Sequence, residues 1–222
     1  MSHWIFDLFE LLPVVFYLIF LRRNKDEGLQ VVFIYCLCSL GVEILAPGLT
    51  KAFGIKKFYF FAFFTIVEYS LLTLFLYRSI RNKRQKIIPI IGSLVFIGTA
   101  IINLLQRKRS AFDSLSASME AVLLIIYSII FLYEQIKDPS ILFVYYTKKF
   151  WVVVAFFIYF SSTLFLFLYA ATFTIKEHDN YWFINNIFDI IKNILFCIAF
   201  SMKKSKKTLY PAENLYAEFD QP

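Results

Sequence analysis

The sequence predicts an all-α polytopic membrane protein, a bundle of seven transmembrane helices. Hydrophobic residues make up 59% of the 222-residue chain and charged residues 18%, whereas charged residues make up about 25% of a typical soluble domain. Seven largely apolar stretches approach the roughly 20 residues that a helix needs to cross a bilayer. Short polar connections separate these stretches. We therefore expect one transmembrane domain over residues 1–207 and a flexible cytoplasmic tail over residues 208–222.

The predicted spans differ in how clearly the sequence defines them. The first is the weakest, because its uncharged run covers only 11–21 and it must include Asp7 and Glu10 to reach a spanning length. If it does not span, six helices remain. The fourth and sixth spans are the clearest, since the runs 87–106 and 150–175 contain no charged residue. The predicted spans are 3–22, 29–51, 58–78, 87–106, 112–134, 149–173 and 181–202.

The distribution of Lys and Arg predicts the orientation. Loops on the cytoplasmic side of a membrane carry the excess of these residues. With seven spans, one side collects 15 of the 23 Lys and Arg residues and the other side collects 7, while Lys192 lies within a span. The prediction is a multi-pass membrane protein with an outside N-terminus and a cytoplasmic C-terminus.

The net positive charge and the small number of cysteines and histidines exclude several classes of function. The net charge of +7 is explained by basic loops that face the lipid bilayer and its anionic headgroups, so no nucleic acid partner is expected. The three cysteines lie in apolar stretches, where we expect small buried hydrophobic side chains. His3 and His178 lie near the outer ends of spans, and no phosphate-binding loop or hydrolase motif occurs. No metal, no other cofactor and no enzyme activity are expected.

Ionisable residues inside the spans are the strongest functional signal, because such residues are expensive in lipid and mark sites. At about 1.5 Å of rise per residue, these side chains lie roughly 12–16 Å below the outer face. Four carboxylates and one amine therefore share one layer near the midplane. They are Glu43, Glu68, Glu120, Asp189 and Lys192.

The seventh span adds a polar stripe to this layer. Asn185, Asp189, Lys192 and Asn193 recur at spacings that place them on one helix face. Asp189 and Lys192 can pair along the helix and simply hold the bundle together. Protonated glutamates that bond neighbouring helices are a second structural interpretation. The functional hypothesis is an outward-facing polar cavity for a small cationic or amine ligand, because carboxylates in low dielectric either protonate or attract a cation.

The stretches 68–72 in the third span, 150–161 in the sixth, and 182–186 with 198–200 in the seventh carry a family resemblance. The chain resembles small seven-helix integral membrane proteins of Bacteroidetes-type bacteria, which look like the membrane-sensor region of histidine kinases without the kinase. The resemblance covers most of the chain. It implies a multi-pass location in a bacterial inner membrane and a signalling or sensory role beside a cytoplasmic partner protein.

Three functions therefore compete. A sensor or receptor would bind its ligand in the cavity and signal to a cytoplasmic protein. An ion channel or pore-forming effector would use the carboxylate layer as a cation path, and a lipid-modifying enzyme would use the carboxylates for catalysis. The apolar inner halves of the third, fifth and sixth spans favour a blind cavity, and hence the sensor. The sequence leaves the oligomeric state open.

Overall fold

The computed structural model describes residues 3–53, 57–105, 114–137, 144–170, 172 and 175–203. These residues form helices and no strands, which confirms the all-α class. Two short 3-10 helices cover Leu21–Arg23 and Val144–Tyr146. The predicted tail, 208–222, lies outside the described residues. The α-helices are α1 (His3–Ile19), α2 (Glu27–Phe53), α3 (Lys57–Ser79), α4 (Ile87–Leu105), α5 (Ser114–Lys137), α6 (Lys148–Tyr169) and α7 (Ile175–Ser201).

Four of the described helices are long and apolar enough to cross a membrane, rather than the seven that the sequence predicted. They are α2 over Glu27–Ala52, α5, α6, and α7 over Tyr181–Ser201. The apolar parts of α1 and α4, Leu8–Ile19 and Ile87–Asn103, have the 10–17 residues of shorter apolar helices. The four long helices support a membrane protein, while the seven-span topology stays a prediction.

Six helices form a closed ring, and α4 lies outside it. Around the ring the order is α1, α2, α3, α5, α6, α7 and back to α1. The helix α4 packs mainly on α5 and touches α3 sparsely. Its outer face exposes a continuous set of large apolar side chains, a surface that would be unusual on a soluble monomer. They are Ile87, Ile88, Ile90, Ile91, Leu94, Val95, Ile97, Ile101 and Ile102.

Polar contacts tie the helices together at both ends of the bundle. At one end, Asn24 follows α1 and donates from Nδ2 to the Phe200 carbonyl of α7 at 3.1 Å. Lys148, at the start of α6, donates from Nζ to Asn24 Oδ1 at 2.6 Å. We call the end of the bundle that contains the α1–α2 turn and the start of α6 the basic end. The helices α1, α3, α5 and α7 end there. At the opposite end, the Ser114 hydroxyl of α5 donates to the Phe167 carbonyl of α6.

Aromatic side chains fill the centre of the ring. Phe156 of α6 is fully buried and has edge-on ring contacts with Phe75 of α3 at 5.9 Å and Phe196 of α7 at 5.3 Å. Its third edge-on partner is Tyr35 of α2, at 6.3 Å. These four rings join four helices in one layer, which lies on the basic-end side of the predicted charged residues.

Candidate functional site

A cavity of about 160 Å³ lies inside the ring, between the aromatic layer and the end opposite the basic end. All six ring helices contribute to its wall, and polar side chains dominate the contributions of α7 and α2. The lining residues are Glu10, Tyr35, Ser39, Val42, Glu43, Phe64, Thr65, Glu68, Ala117, Glu120, Tyr159, Phe167, Trp182, Asn185, Asn186, Asp189 and Lys192.

Six of the seven predicted site residues line this cavity. The structure brings together Glu43, Glu68, Glu120, Asn185, Asp189 and Lys192. Glu68, Glu120 and Lys192 are buried, and Asp189 is half-buried, as the cost of placing charges in lipid led us to expect. Glu43 lines the cavity but its side chain is exposed.

Asn193 is the predicted site residue that does not line the cavity. It is buried behind Asp189 and donates from Nδ2 to Asp189 Oδ2 at 2.9 Å. This hydrogen bond holds the Asp189 carboxylate in place. Direct contact of Asn193 with a ligand stays a prediction.

Lys192 is the centre of the polar network. Its ammonium group is in ion-pair contact with Asp189 and donates to the Tyr35 hydroxyl at 2.8 Å. The Tyr35 hydroxyl in turn donates to Glu68 Oε1 at 2.8 Å. A chain of contacts thus runs from α7 through α2 to α3. The residue is 3% exposed, so it makes these contacts away from bulk solvent.

Aromatic rings face the same ammonium group. The Lys192 Nζ atom lies 4.4 Å from the centre of the Tyr159 ring and 5.3 Å from that of Tyr35. A cation within about 6 Å of a ring centre is attracted by the ring quadrupole. Tyr159 also donates from its hydroxyl to Asn185 Oδ1 at 3.1 Å. Two rings and a carboxylate therefore form a cation-binding cage, and Lys192 occupies it.

Helical spacing explains why these side chains converge. On α7, Trp182, Asn185, Asp189 and Lys192 are separated by three, four and three residues, which keeps them on one face. On α2, Tyr35 and Ser39 are four residues apart and continue to Glu43 after four more. The stripe on α7 was predicted from the sequence, but the α2 stripe was recognised there only through Glu43.

Glu10 is a site residue that the sequence analysis missed. Its Oε1 atom accepts a hydrogen bond from the Ser39 hydroxyl at 3.3 Å. Its Oε2 atom is buried, with no hydrogen-bond partner among the described residues. The sequence signal was the polar stripe of Tyr35, Ser39 and Glu43 at a spacing of four on an otherwise apolar helix, which indicates a polar environment on that face. Glu10 raises the number of carboxylates on the lining to five.

The aromatic layer forms the floor of the cavity. Tyr35 belongs to both, since its hydroxyl reaches the network and its ring packs on Phe156 and Phe196. Phe75, Phe156 and Phe196 are each fully buried. The side facing the basic end is therefore closed by packed rings.

The arrangement has the chemistry of ion recognition. It combines carboxylates, amide groups and aromatic faces around a buried amine. Within the described part of the chain, no three His, Cys, Asp or Glu side chains are grouped so that they could hold a metal ion. The lining can accept hydrogen bonds from, and compensate the charge of, a small cation.

Comparison with protein-family models, curated proteins and solved structures finds no match for this chain. The resemblance to membrane-sensor regions of histidine kinases therefore stays a prediction.

Proposed function

We propose that this protein is a sensor of a bacterial inner membrane, with seven spanning helices, an outside N-terminus and a cytoplasmic C-terminus. Its outward-facing cavity binds a small cationic or amine ligand, and the bundle signals to a cytoplasmic partner protein. The observation that carries the proposal is the composition of the cavity lining. Five carboxylates share that lining with a single amine, Lys192.

The excess of acidic groups supports a cationic ligand. Carboxylates in a low-dielectric interior are stabilised by a nearby positive charge. Tyr35 and Tyr159 already hold one ammonium group over their rings, and this contact supports the binding of a cation by these faces. The cavity of about 160 Å³ is smaller than the roughly 300–1,000 Å³ of pockets for drug-sized molecules. A small primary amine fits this size.

Signalling follows from competition between the ligand and Lys192. A second cation near Asp189 and Glu68 repels the Lys192 ammonium and weakens its hold on Tyr35. That contact joins α7 to α2, so its loss favours a different packing of these helices, a shift between two populated states. The same helix α7 reaches the basic end, where the Phe200 carbonyl accepts from Asn24. A cytoplasmic partner at that end would sense the change.

The aromatic floor favours a sensor over a channel. Conduction requires a continuous path that an ion can enter and leave. The fully buried rings of Phe75, Phe156 and Phe196 lie between the cavity and the basic end. Ion passage would require these rings to separate, whereas ligand binding requires no such opening.

Thermal unfolding of the detergent-purified protein tests ligand binding. We expect propylammonium chloride to raise the Tm, while equal concentrations of propan-1-ol and sodium chloride leave it unchanged. Ligand at a hundred times Kd stabilises the folded state by about 2.7 kcal/mol. For a chain of this size that corresponds to roughly 5–10 °C.

Variants locate the binding site. Asp189→Asn and Glu68→Gln should fold but lose the propylammonium shift. The matched control is Glu27→Gln, since the Glu27 side chain is 83% exposed at the basic end; this variant should keep the full shift. If the double variant Asp189→Asn with Lys192→Met and both single carboxylate variants shift like the wild type, the layer only holds helices together. An absent shift in the wild type would also contradict the proposal.

A further inference from the structure

A second recess lies on the outer surface of the bundle, between α3 and α4. It exists because α4 packs on α5 and diverges from α3. Its volume is about 390 Å³, within the range of ligand pockets. We call it the lateral groove. Its lining residues are Ile66, Tyr69, Ser70, Thr73, Leu74, Tyr77, Pro89, Ile90, Ser93, Phe96 and Ile97.

The floor of the lateral groove is preformed. The Tyr69 ring stacks on the Phe96 ring with 3.8 Å between their centres, and both residues are buried. The Tyr69 hydroxyl is hydrogen-bonded to the hydroxyls of Ser93 at 3.2 Å and Tyr127 at 3.1 Å. These contacts join α3, α4 and α5, so the groove does not depend on an occupant to form.

The Thr73 hydroxyl is a polar group in the wall of the lateral groove. This residue is 8% exposed, and its buried hydroxyl has no hydrogen-bond partner among the described residues. A buried polar group without a partner is costly. Thr in a helix has two accessible χ1 rotamers, so rotation can turn this hydroxyl towards an acceptor oxygen in the groove.

The length and charge of the groove match one lipid molecule. From Ile66 to Tyr77 the wall rises about 16 Å along α3, about half of the roughly 30 Å hydrocarbon core of a bilayer. The Tyr77 end lies at the basic end of the bundle, and the Lys86 ammonium lies 5.0 Å from the centre of the Tyr77 ring. Thr73 lies about 6 Å along α3 from Tyr77, the depth of ester groups below a phosphate.

We propose that the lateral groove binds one anionic phospholipid of the inner leaflet. The acyl chain lies along the apolar wall, an ester carbonyl accepts a hydrogen bond from Thr73, and Lys86 pairs with the phosphate. The inference rests on the membrane orientation given under Proposed function. It is independent of the ligand in the central cavity.

Lipid retention tests the site. The purified wild-type protein is exchanged into dodecyl maltoside micelles containing palmitoyl-oleoyl phosphatidylglycerol or the matching phosphatidylcholine. Native mass spectrometry should detect one retained phosphatidylglycerol per chain and much less phosphatidylcholine. Lys86→Gln should weaken retention about fivefold, the effect of one cation beside an anionic headgroup.

Two further variants make the test specific. Ser70→Phe fills the groove from an exposed position on α3 and should abolish retention. Lys137→Gln is the matched control, because Lys137 lies 4.6 Å from the centre of the Tyr133 ring at the same end of the bundle but outside the groove. This control should retain lipid like the wild type.

Four results would overturn the site. They are equal retention of the two lipids, equal losses in Lys86→Gln and Lys137→Gln, full retention by Ser70→Phe, and a dimer that excludes lipid. The propylammonium shift is measured on the same preparations. If lipid is lost but propylammonium still raises the Tm, only the lipid site in the lateral groove is refuted. If lipid is retained but propylammonium does not raise the Tm, only the ligand site in the central cavity is refuted.

Discussion

At Gly92, the absence of a side chain lets the Tyr127 hydroxyl reach the backbone of α4. A Cβ atom added at this position would lie 1.8 Å from the Tyr127 oxygen. Tyr127 is fully buried, and its hydroxyl is hydrogen-bonded to that of Tyr69. The glycine therefore allows α4 to dock on α5 while the hydroxyl bridge continues to α3. Its role is close packing, and it requires no unusual backbone conformation.

We predict that Gly92→Ala destabilises the protein, because the added methyl group displaces Tyr127 and breaks its bond to Tyr69. Overpacking a tight site costs about 1–3 kcal/mol, so the Tm should fall by roughly 2–12 °C. The measurement is thermal unfolding in detergent. Gly98→Ala is the matched control on the same helix, since nothing lies within 4 Å of its added Cβ. A similar fall in both variants would show that the effect is not due to Tyr127.

At the scale of the helices, the turn between α1 and α2 holds three elements together. The Asn24 side chain is fully buried and contacts both α6 and α7. Tyr17 of α1 donates from its hydroxyl to the Asn24 carbonyl at 3.1 Å. Lys148 also donates to the Arg23 carbonyl at 3.2 Å. This turn therefore connects the end of α7 to the start of α6 at the basic end.

We predict that Asn24→Ala lowers stability by about 2–4 kcal/mol, because the Phe200 carbonyl and the Lys148 ammonium each lose a buried partner. The Tm in detergent should fall by roughly 4–16 °C. Asn82→Ala is the control: it removes an exposed amide that accepts one bond, from the Arg84 backbone N–H. That variant should change the Tm little. An equal fall in Tm in the two variants would show that the buried hydrogen bonds of the Asn24 side chain do not stabilise the protein.

Much of the helical framework was predictable because hydrophobicity and helix length are local properties of the sequence. The stripe on α7 was predictable for the same reason, since one helix carries Asn185, Asp189 and Lys192 at regular spacing. Tertiary contacts were not predictable in this way. The α7 pattern does not reveal that Tyr35 of another helix accepts from Lys192. The position of α4 outside the ring depends on contacts such as Gly92 with Tyr127, which no single helix encodes.

Across the whole molecule, polar and charged groups are divided between the two ends. The central cavity and its carboxylates lie in the half that contains the start of α7. The other end carries the described basic residues of the α1–α2 and α3–α4 turns and of the start of α6. The predicted orientation faces the cavity outward and the cations towards anionic lipid. The side of the membrane that the cavity faces, the leaflet that supplies the lipid of the lateral groove and the cytoplasmic position of the partner surface all depend on this orientation.

Reporter fusions at two positions test this orientation. A phosphatase that is active only outside the cytoplasm should be inactive when fused after Pro222 and active when inserted in the 106–113 connection between α4 and α5. The physical reason is that loops rich in Lys and Arg stay in the cytoplasm, and one side of the predicted bundle carries 15 of these residues against 7 on the other. A cytoplasm-specific reporter at the same two positions is the control and should give the reciprocal pattern. The reverse pattern would invert the bundle, so that the cavity would face the cytoplasm and the lateral groove the outer leaflet. Equal phosphatase activity at the two positions would mean an even number of crossings between them and would refute the seven-span topology.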